Sequence, residues 1–265
     1  MRPRLIATDL DGTLLGPGQN LTPRTIAAVR AAVAASIEVV LVTARPPRTV
    51  EALARQLGGQ IVALCSNGAI VADYGPGETV IIHTFSAKDA TTIIEQLRAK
   101  LPEAGFAVET GWEIYLEESF MTGFSADDRR VRTANLPECM RAMPSIVKIL
   151  ARSACRTADQ MVEIAERILT VPAEISHAGG KGLLEIGPPG ASKASGLQWL
   201  CAARKIDAAN VVAFGDMPND LTMLRWAGVG HAVANAHPLV LEAADRVIGH
   251  HGEDGVAAAI EALLS

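Results

Sequence analysis

Short runs of apolar and β-branched residues alternate with alanine-rich amphipathic segments along most of this 265-residue chain. The runs 37–42, 61–65 and 211–214 have the length of buried strands, and the segments that separate such runs suit helices. Thr22 and Pro23 supply an N-cap and a first helical residue for one of these segments. Because strand–helix–strand alternation builds parallel sheets, we predict an α/β fold with a Rossmann-like parallel-sheet core.

The composition changes between residues 84 and 187, where four of the five Phe residues fall. We predict an inserted α+β domain over 84–187 and a discontinuous core domain made of 1–83 and 188–265. Gly-Pro-Pro-Gly at 187–190 interrupts both helix and strand and is expected to lead back to the core domain. In the inserted domain we expect helices near 88–100 and 158–169, and strands near 107–108, 114–116, 147–151 and 183–186.

Composition and charge disfavour several functional classes. The chain is 49% apolar and carries 24 basic against 29 acidic residues, a net charge of -5, without a basic cluster that could follow a nucleic-acid backbone. It shows neither a cleavable leader pattern nor an uninterrupted apolar segment of membrane length, so we expect no membrane partner and a cytoplasmic location. The cysteines lack Cys-x-x-Cys spacing, which favours free thiols over zinc sites or disulfides at Cys65, Cys139, Cys155 and Cys201.

Asp9 and Asp11 follow the apolar residues 5–7, at the expected carboxyl end of the first strand. Open α/β sheets bind their ligands at that end. Alternate residues of a strand point to the same side, so these carboxylates repel each other unless a cation or a shared proton relieves them. Gly12 lets the backbone turn and present a carbonyl oxygen to an ion, which favours a divalent metal. The alternative is that Asp-Gly is only a turn signal.

Polar residues also follow the next strands and open a later helix. Thr43 follows the second strand, and Asn67 lies in the turn after the third. Ser192 is a natural N-cap, which places Lys193 in the first turn of a helix, where the helix dipole disfavours a cation. We therefore expect Lys193 to contact an anionic group, with a solvated surface lysine as the alternative.

A second acidic strand end lies at Asp216, after the run 211–214. If this strand is a neighbour of the first, three carboxylates converge, and a metal with hard oxygen ligands, most plausibly Mg²⁺, offsets their repulsion. Asp220 and Asn219 follow closely. Each has an alternative interpretation, Asp220 as an acidic residue at a helix N-terminus and Asn219 as an N-cap.

Together these motifs resemble those of the haloacid dehalogenase-like hydrolases, and within them the Cof-type sugar-phosphatase branch with an α+β cap. The resemblance covers nearly the whole chain and implies that the inserted domain is a substrate-specificity cap. The four family motifs occur in order as Asp9-Leu10-Asp11-Gly12-Thr13, Thr43, Lys193 and Gly215-Asp216-x-x-Asn219-Asp220, with further matches at Asn67-Gly68-Ala69, Ala234-Asn235-Ala236 and Glu253-Asp254-Gly255-Val256-Ala257.

The resemblance implies a Mg²⁺-dependent phosphatase that hydrolyses small phosphomonoesters, such as sugar phosphates, through an aspartyl-phosphate. Asp9 would be the nucleophile and Asp11 the general acid and base. Mg²⁺ would be held by Asp9, the Asp11 carbonyl and Asp216, with Asp220 behind these ligands. Thr43 and Lys193 complete the implied catalytic set, and the implied phosphate- or substrate-binding residues are Leu10, Thr43, Ala44, Arg45, Asn67, Lys193 and Asn219.

Two positions depart from the family pattern. The branch commonly has Gly at the position of Ala44, and a residue smaller than Met217 before the Asn-Asp pair. Both differences lie beside the expected metal or phosphate position, where they bear on affinity rather than on chemistry. The candidates for contact with the leaving group are Arg45, Asn67, Glu113, Tyr115, Lys148, His177 and Lys181.

Other functions could use the same residues. A phosphotransferase or phosphomutase would pass the aspartyl-phosphate to a second hydroxyl instead of to water. A catalytically inactive protein that binds a phosphorylated ligand is the non-enzyme alternative, disfavoured because every charged group that the chemistry needs is present. A dinucleotide-binding oxidoreductase is disfavoured because no Gly-x-Gly-x-x-Gly follows the first strand. The oligomeric state is left open by the sequence.

Overall fold

A computed structural model describes residues 2–120, 129–177 and 182–265 of the chain. The chain divides into two compact units, one made of residues 1–80 and 192–265 and the other of residues 81–191. Lys181, one of the candidate residues, lies outside the described residues. Within these ranges, no helix has the length and apolar character needed to cross a lipid bilayer.

The described residues form two β-sheets and a set of surrounding helices. In chain order, the strands are β1 (Leu5–Thr8), β2 (Glu38–Val42), β3 (Val62–Cys65), β4 (Ile70–Asp73), β5 (Val80–Ile81), β6 (Gly105–Glu109), β7 (Ile114–Leu116), β8 (Arg130–Arg132), β9 (Lys148–Arg152), β10 (Glu174–Ser176), β11 (Leu183–Gly187), β12 (Val211–Gly215), β13 (Val229–Val233) and β14 (Arg246–Ile248). The α-helices are α1 (Pro23–Ala34), α2 (Pro47–Leu57), α3 (Ala87–Lys100), α4 (Leu136–Ala142), α5 (Ala158–Ile168), α6 (Lys193–Arg204), α7 (Leu221–Trp226), α8 (Pro238–Ala243) and α9 (Gly255–Leu264).

The first sheet has the strand order β14-β13-β12-β1-β2-β3-β4-β5. Neighbouring strands from β14 to β3 are parallel, and β4 is antiparallel to β3. Every residue of β1, β3 and β12 is buried, which is typical of strands inside a parallel sheet. The predicted α/β class with a parallel core is therefore confirmed.

Local capping explains where two helices of the first unit begin. The Thr22 side chain accepts a hydrogen bond from the backbone of Thr25, and Pro23 is the first residue of α1. Ser192 and Ser195 form a reciprocal capping box at the start of α6. This cap fixes Lys193 as the first residue of α6.

The second unit is an antiparallel sheet with helices on one face. Its strand order is β10-β11-β9-β6-β7-β8, and among the described strands of this sheet only the short β7–β8 pair is parallel. Alternate residues of β6, β9 and β11 pack with α3, α4 and α5 in one apolar core, which includes Phe106, Val108, Ile149, Ala151, Leu184 and Ile186.

Several elements were not predicted, for physical reasons. β4 follows β3 after only four residues, because Ser66, Asn67 and Gly68 all have a positive φ and reverse the chain there. The β8, β10 and β14 strands have three residues each, too few to show a period of two. β13 was not predicted either, and both β4 and β13 lie inside the first sheet rather than at its edges. The four strands whose ends form the polar edge described below, β12, β1, β2 and β3, match the predicted apolar runs.

Candidate active site

Four neighbouring strands of the first sheet end in polar residues at one edge. Asp9, Thr43 and Ser66 directly follow β1, β2 and β3, and Asp216 directly follows β12. These strands are adjacent in the order β12-β1-β2-β3, so their carboxyl ends lie side by side. The chain order reverses between β12 and β1, which is the position where open α/β sheets form their ligand crevice.

Three buried carboxylates and one buried ammonium group form the centre of this edge. Lys193 Nζ donates a hydrogen bond of 2.6 Å to Asp9 Oδ1 and another of 2.6 Å to Asp220 Oδ1. One carboxylate oxygen from each of Asp9, Asp216 and Asp220 lies within 4.8 Å of the other two. Lys193 is 1% exposed and Asp220 is 0% exposed, so the charges interact with little screening by water.

Burial and mutual repulsion shift the pKa values of this cluster. Burial raises the pKa of Asp9 well above its usual range, and the charge of Lys193 opposes that rise. Burial, together with the charge of Asp220, raises the pKa of Asp216 to about 6. Burial by itself lowers the pKa of Lys193, but the charges of Asp220 and Asp9 outweigh it and raise that pKa. Lys193 is therefore protonated and positively charged.

Asp220 holds other members of the cluster in place. Its Oδ1 accepts the hydrogen bond from Lys193, and its Oδ2 accepts hydrogen bonds from the backbone amides of Asp216 (3.0 Å) and Met217 (2.9 Å). Both oxygens are thus engaged with the protein. Asp220 supports Lys193 and the Asp216 backbone, while Asp9 and Asp216 keep oxygen atoms available for a ligand.

The loop after β1 requires a glycine at position 12. Gly12 has a φ of +78°, and a Cβ atom there would lie 2.4 Å from Asp216 Oδ2. The hydroxyl of the next residue, Thr13, donates a hydrogen bond of 3.0 Å to Asp216 Oδ1. The loop and the Asp216 carboxylate therefore fit closely together.

Asp11 lies outside the buried cluster and pairs with Arg45. Arg45 Nε donates to Asp11 Oδ2 at 2.7 Å, and Arg45 Nη2 donates to Asp11 Oδ1. The hydrogen bond to Asp11 is the largest cause of the raised pKa of Arg45. The Asp11 side chain is 40% exposed, so it can reach a ligand or water. Arg45 was predicted to bind phosphate or substrate, and its two-point ion pair with Asp11 was not predicted.

Side chains that suit a phosphate group surround the cluster. Thr43 is buried, and its hydroxyl accepts a hydrogen bond from the Arg45 amide. Asn219 Nδ2 donates to Asn67 Oδ1 at 3.1 Å. Asn219 Oδ1 and Ser66 Oγ are buried and have no hydrogen-bond partner among the described residues. Buried polar atoms of this kind are usually satisfied by water or a ligand.

The donor set fits a hard divalent cation. Three carboxylates against one ammonium group leave two negative charges in excess, in a buried site made of oxygen ligands. Burial, and to a smaller extent the neighbouring carboxylates, raises the pKa values of Asp9 and Asp216, so a further cation would favour their charged forms. Asp9 and Asp216 could hold Mg²⁺ through their carboxylates.

Comparison with known proteins decides the family. A family model described as haloacid dehalogenase-like hydrolase matches residues 6–260. The chain belongs to the haloacid dehalogenase-like hydrolases. The relationship predicted from the four motifs is thereby confirmed.

Relatives within the haloacid dehalogenase-like hydrolases match over nearly their full length. YxeH of Bacillus subtilis is 30% identical, with 98% of this chain and 98% of that protein covered. Pyridoxal phosphate phosphatase YbhA of Escherichia coli is 29% identical, with 97% of each covered. A solved haloacid dehalogenase-like hydrolase of B. subtilis superposes with a TM-score of 0.85 at 25% identity, covering 97% of this chain and 99% of that one. The predicted enzyme class, a phosphoric monoester hydrolase, is confirmed.

The structure brings together most of the residues predicted from the hydrolase motifs. Leu10 and Ala44 lie beside Asp9 and Thr43 in the loops that follow β1 and β2. The remaining described candidates for contact with the leaving group, Glu113, Tyr115, Lys148 and His177, lie in the second unit. Tyr115 donates a hydrogen bond to Glu113, Lys148 pairs with Glu185, and His177 contacts Asp159.

Some residues of the site carry no clear signal in the sequence. Thr13 belongs to the first motif, but its hydrogen bond to Asp216 depends on the adjacency of β1 and β12. Asn235 was noted within Ala234-Asn235-Ala236 without a role, and its side chain donates a 2.8 Å hydrogen bond to the Gly12 carbonyl. Such contacts join positions more than 200 residues apart, which a motif cannot reveal.

Proposed function

We propose that this hydrolase is a Mg²⁺-dependent phosphatase in which Asp9 is the nucleophile. The observation that carries the proposal is the buried cluster of Asp9, Asp216 and Asp220 around Lys193. Lys193 holds one oxygen of Asp9, and the other oxygen has no hydrogen-bond partner among the described residues. This arrangement orients one lone-pair-bearing oxygen for attack on phosphorus.

The proposed substrates are small phosphomonoesters. Two of the relatives are named for such substrates, pyridoxal phosphate and 5-amino-6-(5-phospho-D-ribitylamino)uracil, and sugar phosphates share the same reacting group. The second unit, residues 81–191, is the proposed cap that selects the leaving group. A cytoplasmic location and the absence of nucleic-acid partners stay predictions from the sequence.

In the proposed reaction, an oxygen of Asp9 attacks phosphorus and forms a P–O bond while the bond to the leaving alkoxide breaks. Asp11 in its acid form protonates the leaving oxygen. Asp11, now a carboxylate, removes a proton from water, and that water attacks the aspartyl-phosphate to release inorganic phosphate. The 40% exposure of the Asp11 side chain suits both proton transfers, and Arg45 orients the carboxylate through two hydrogen bonds.

Positive charge and hydrogen-bond donors would stabilise the phosphoryl group in the transition state. Lys193 is the buried cation nearest to Asp9. Thr43 and Asn219 lie at the same sheet edge, together with the backbone amides of Leu10 and Ala44. Mg²⁺ would be held by Asp9, Asp216 and the Asp11 carbonyl, and when bound it supplies charge that offsets the phosphoryl oxygens and the carboxylates.

Phosphate release from a panel of phosphomonoesters tests this function. We expect release with Mg²⁺ and none with a chelator, and we expect little transfer when sugars are added as acceptors. Phosphorylated sugar as the main product would show a transferase instead. No release and no transfer from any compound, with Mg²⁺ present and the protein folded, would contradict both enzymatic functions.

A further inference from the structure

Two side chains from distant parts of the first unit hold the loop that follows β1, residues 9–15. Asn235 Nδ2 donates a hydrogen bond of 2.8 Å to the Gly12 carbonyl. The backbone amide of His251 donates to Asn235 Oδ1 at 2.9 Å, and His251 Nδ1 lies 2.8 Å from the Leu15 carbonyl oxygen. The loop is thus held near its middle and at its end by two linked residues.

The segment that carries His251 is held by further contacts, so it can act as a support for the loop. Asp254 has a φ of +57°, and its Oδ1 accepts hydrogen bonds from the hydroxyls of Thr22 (2.6 Å) and Thr25 (3.3 Å). A Cβ atom at Gly255 would lie 2.0 Å from the Gly249 carbonyl oxygen. Residues 249–255 are therefore hydrogen-bonded to the start of α1, and the two ends of this segment lie in close contact.

The chemistry of each group determines which atom donates and which atom accepts in these hydrogen bonds. A carbonyl oxygen only accepts hydrogen bonds, so His251 Nδ1 must carry the proton in its contact with Leu15. Asn235 uses both ends of its amide, since Nδ2 donates to Gly12 and Oδ1 accepts from His251. An aspartate at position 235 could keep the second bond but not the first.

We propose that Asn235 and His251 are positioning residues for the reaction, an inference that rests on the proposed function. They hold the loop between Asp9 and Leu15, so that Asp11 and Thr13, on either side of Gly12, keep their places. Thr13 contacts Asp216, and Asp11 is the proposed acid and base, so a displaced Gly12 carbonyl misplaces both. Neither Asn235 nor His251 touches the reacting atoms.

Four variants test the network by activity. Asn235→Ala, Asn235→Asp and His251→Leu each remove a bond to the loop, and we expect kcat to fall about 5- to 30-fold, as for one or two lost hydrogen bonds. KM should change less than about twofold, because the substrate contacts are unchanged. In His251→Asn the side-chain amide nitrogen is bonded to Cγ, as Nδ1 of the imidazole is, so an N–H donor is kept at this position. This variant should therefore retain most of kcat.

Hydrogen exchange of the loop provides a readout that does not depend on activity. The amides of Leu14 and Leu15 are bonded within the loop, to Asp9 O and Leu10 O. We expect mass spectrometry to show faster exchange of the 9–15 peptide in the three disrupting variants and near-normal exchange in His251→Asn. Glu253→Gln is the matched control, because Glu253 is exposed in the same segment and its side chain makes no hydrogen bond among the described residues.

The outcomes separate this inference from the proposed function. Unchanged exchange and unchanged kcat in Asn235→Ala and His251→Leu would overturn the positioning role, and so would a His251→Asn variant as impaired as His251→Leu. If the unmodified protein releases no phosphate but exchange follows the expected pattern, the proposed function fails and the support of the loop stands. A thermal unfolding curve for each variant excludes global unfolding as the cause.

Discussion

Asp9, Asp216 and Asp220 are held close together although their charges repel one another, because Lys193 lies among them and backbone amides bind Asp220. At this scale the strand-end aspartates could be predicted, since an acidic residue directly after a buried apolar run is visible in the sequence. For Lys193, the sequence predicted that it contacts an anionic group but not which residues supply that group. The Asp11–Arg45 pair could not be predicted, because it joins the ends of two strands whose adjacency the sequence does not state.

The raised pKa of Asp216 predicts a pH-dependent stability of the metal-free protein. Its pKa in the folded state, about 6, lies above the ordinary value of an aspartate, about 3.9, so the folded state holds the proton more tightly. Stability therefore falls as pH rises from about 4 to 6, by roughly 3 kcal/mol. Asp216→Asn should raise the metal-free melting temperature at pH 8 and abolish its increase on adding Mg²⁺. A melting temperature lowered by Asp216→Asn, or an intact Mg²⁺ response, would contradict this.

Removal of the buried ammonium group should affect both activity and folding. Lys193→Met leaves the Asp9 and Asp220 carboxylates without their shared cation, so we expect kcat to fall to background. The free energy of unfolding should fall by about 3–5 kcal/mol at pH 8, with a smaller loss at pH 5.5, where the carboxylates take up protons more readily. Urea unfolding at both pH values measures this. An equal loss at the two pH values would argue against buried charge as the cause.

Among the elements, α6 is placed by an unusually close approach to the turn after β3. A Cβ atom at Gly196 would lie 2.8 Å from Gly68 Cα, and one at Gly68 would lie 2.2 Å from the Ser192 carbonyl oxygen. The start of α6 could be predicted from its Ser192 cap, and β3 from its apolar run. The contact between them could not, because it depends on two small residues that meet only in the folded chain.

Gly196→Ala tests whether this contact positions Lys193. The added methyl group must displace α6 or the turn, which we expect to lower the free energy of unfolding by about 1–3 kcal/mol. Because Lys193 is the first residue of α6, kcat should fall more than KM rises. Gln198→Ala, an exposed change on the same helix, is the control and should alter neither value. Normal kcat in a destabilised Gly196→Ala protein would show that this contact stabilises the fold but does not position Lys193 for catalysis.

For the whole molecule, the two units differ in composition, and that contrast is the basis on which a second domain was predicted. The antiparallel order of its sheet could not be predicted, because strands as short as β8 and β10 show no period. Its sheet carries a buried ion pair, in which Lys148 Nζ lies 2.8 Å from Glu185 Oε2. Buried ion pairs are costly to desolvate, so this pair in the proposed cap is a candidate for a role in substrate selection.

Replacing that pair tests whether the second unit selects the leaving group. The double variant Lys148→Met with Glu185→Leu removes both charges and should fold with near-normal stability. We expect kcat/KM to change unequally across phosphomonoesters, while hydrolysis of a small aryl phosphate stays within about threefold. Glu163→Gln with Arg167→Gln, an exposed pair on α5, is the matched control. An unchanged ranking of substrates would exclude a selective role for the pair.

The most direct test of the central claim is phosphate release from an aryl phosphate by the native protein and by Asp9→Asn, each with Mg²⁺ and with a chelator. Asparagine keeps the shape of Asp9 but lacks a nucleophilic carboxylate. We predict release by the native protein only with Mg²⁺, and none by a folded Asp9→Asn protein under either condition. Release that persists in Asp9→Asn, or that is indifferent to the chelator, would contradict an aspartyl nucleophile in a magnesium-dependent site.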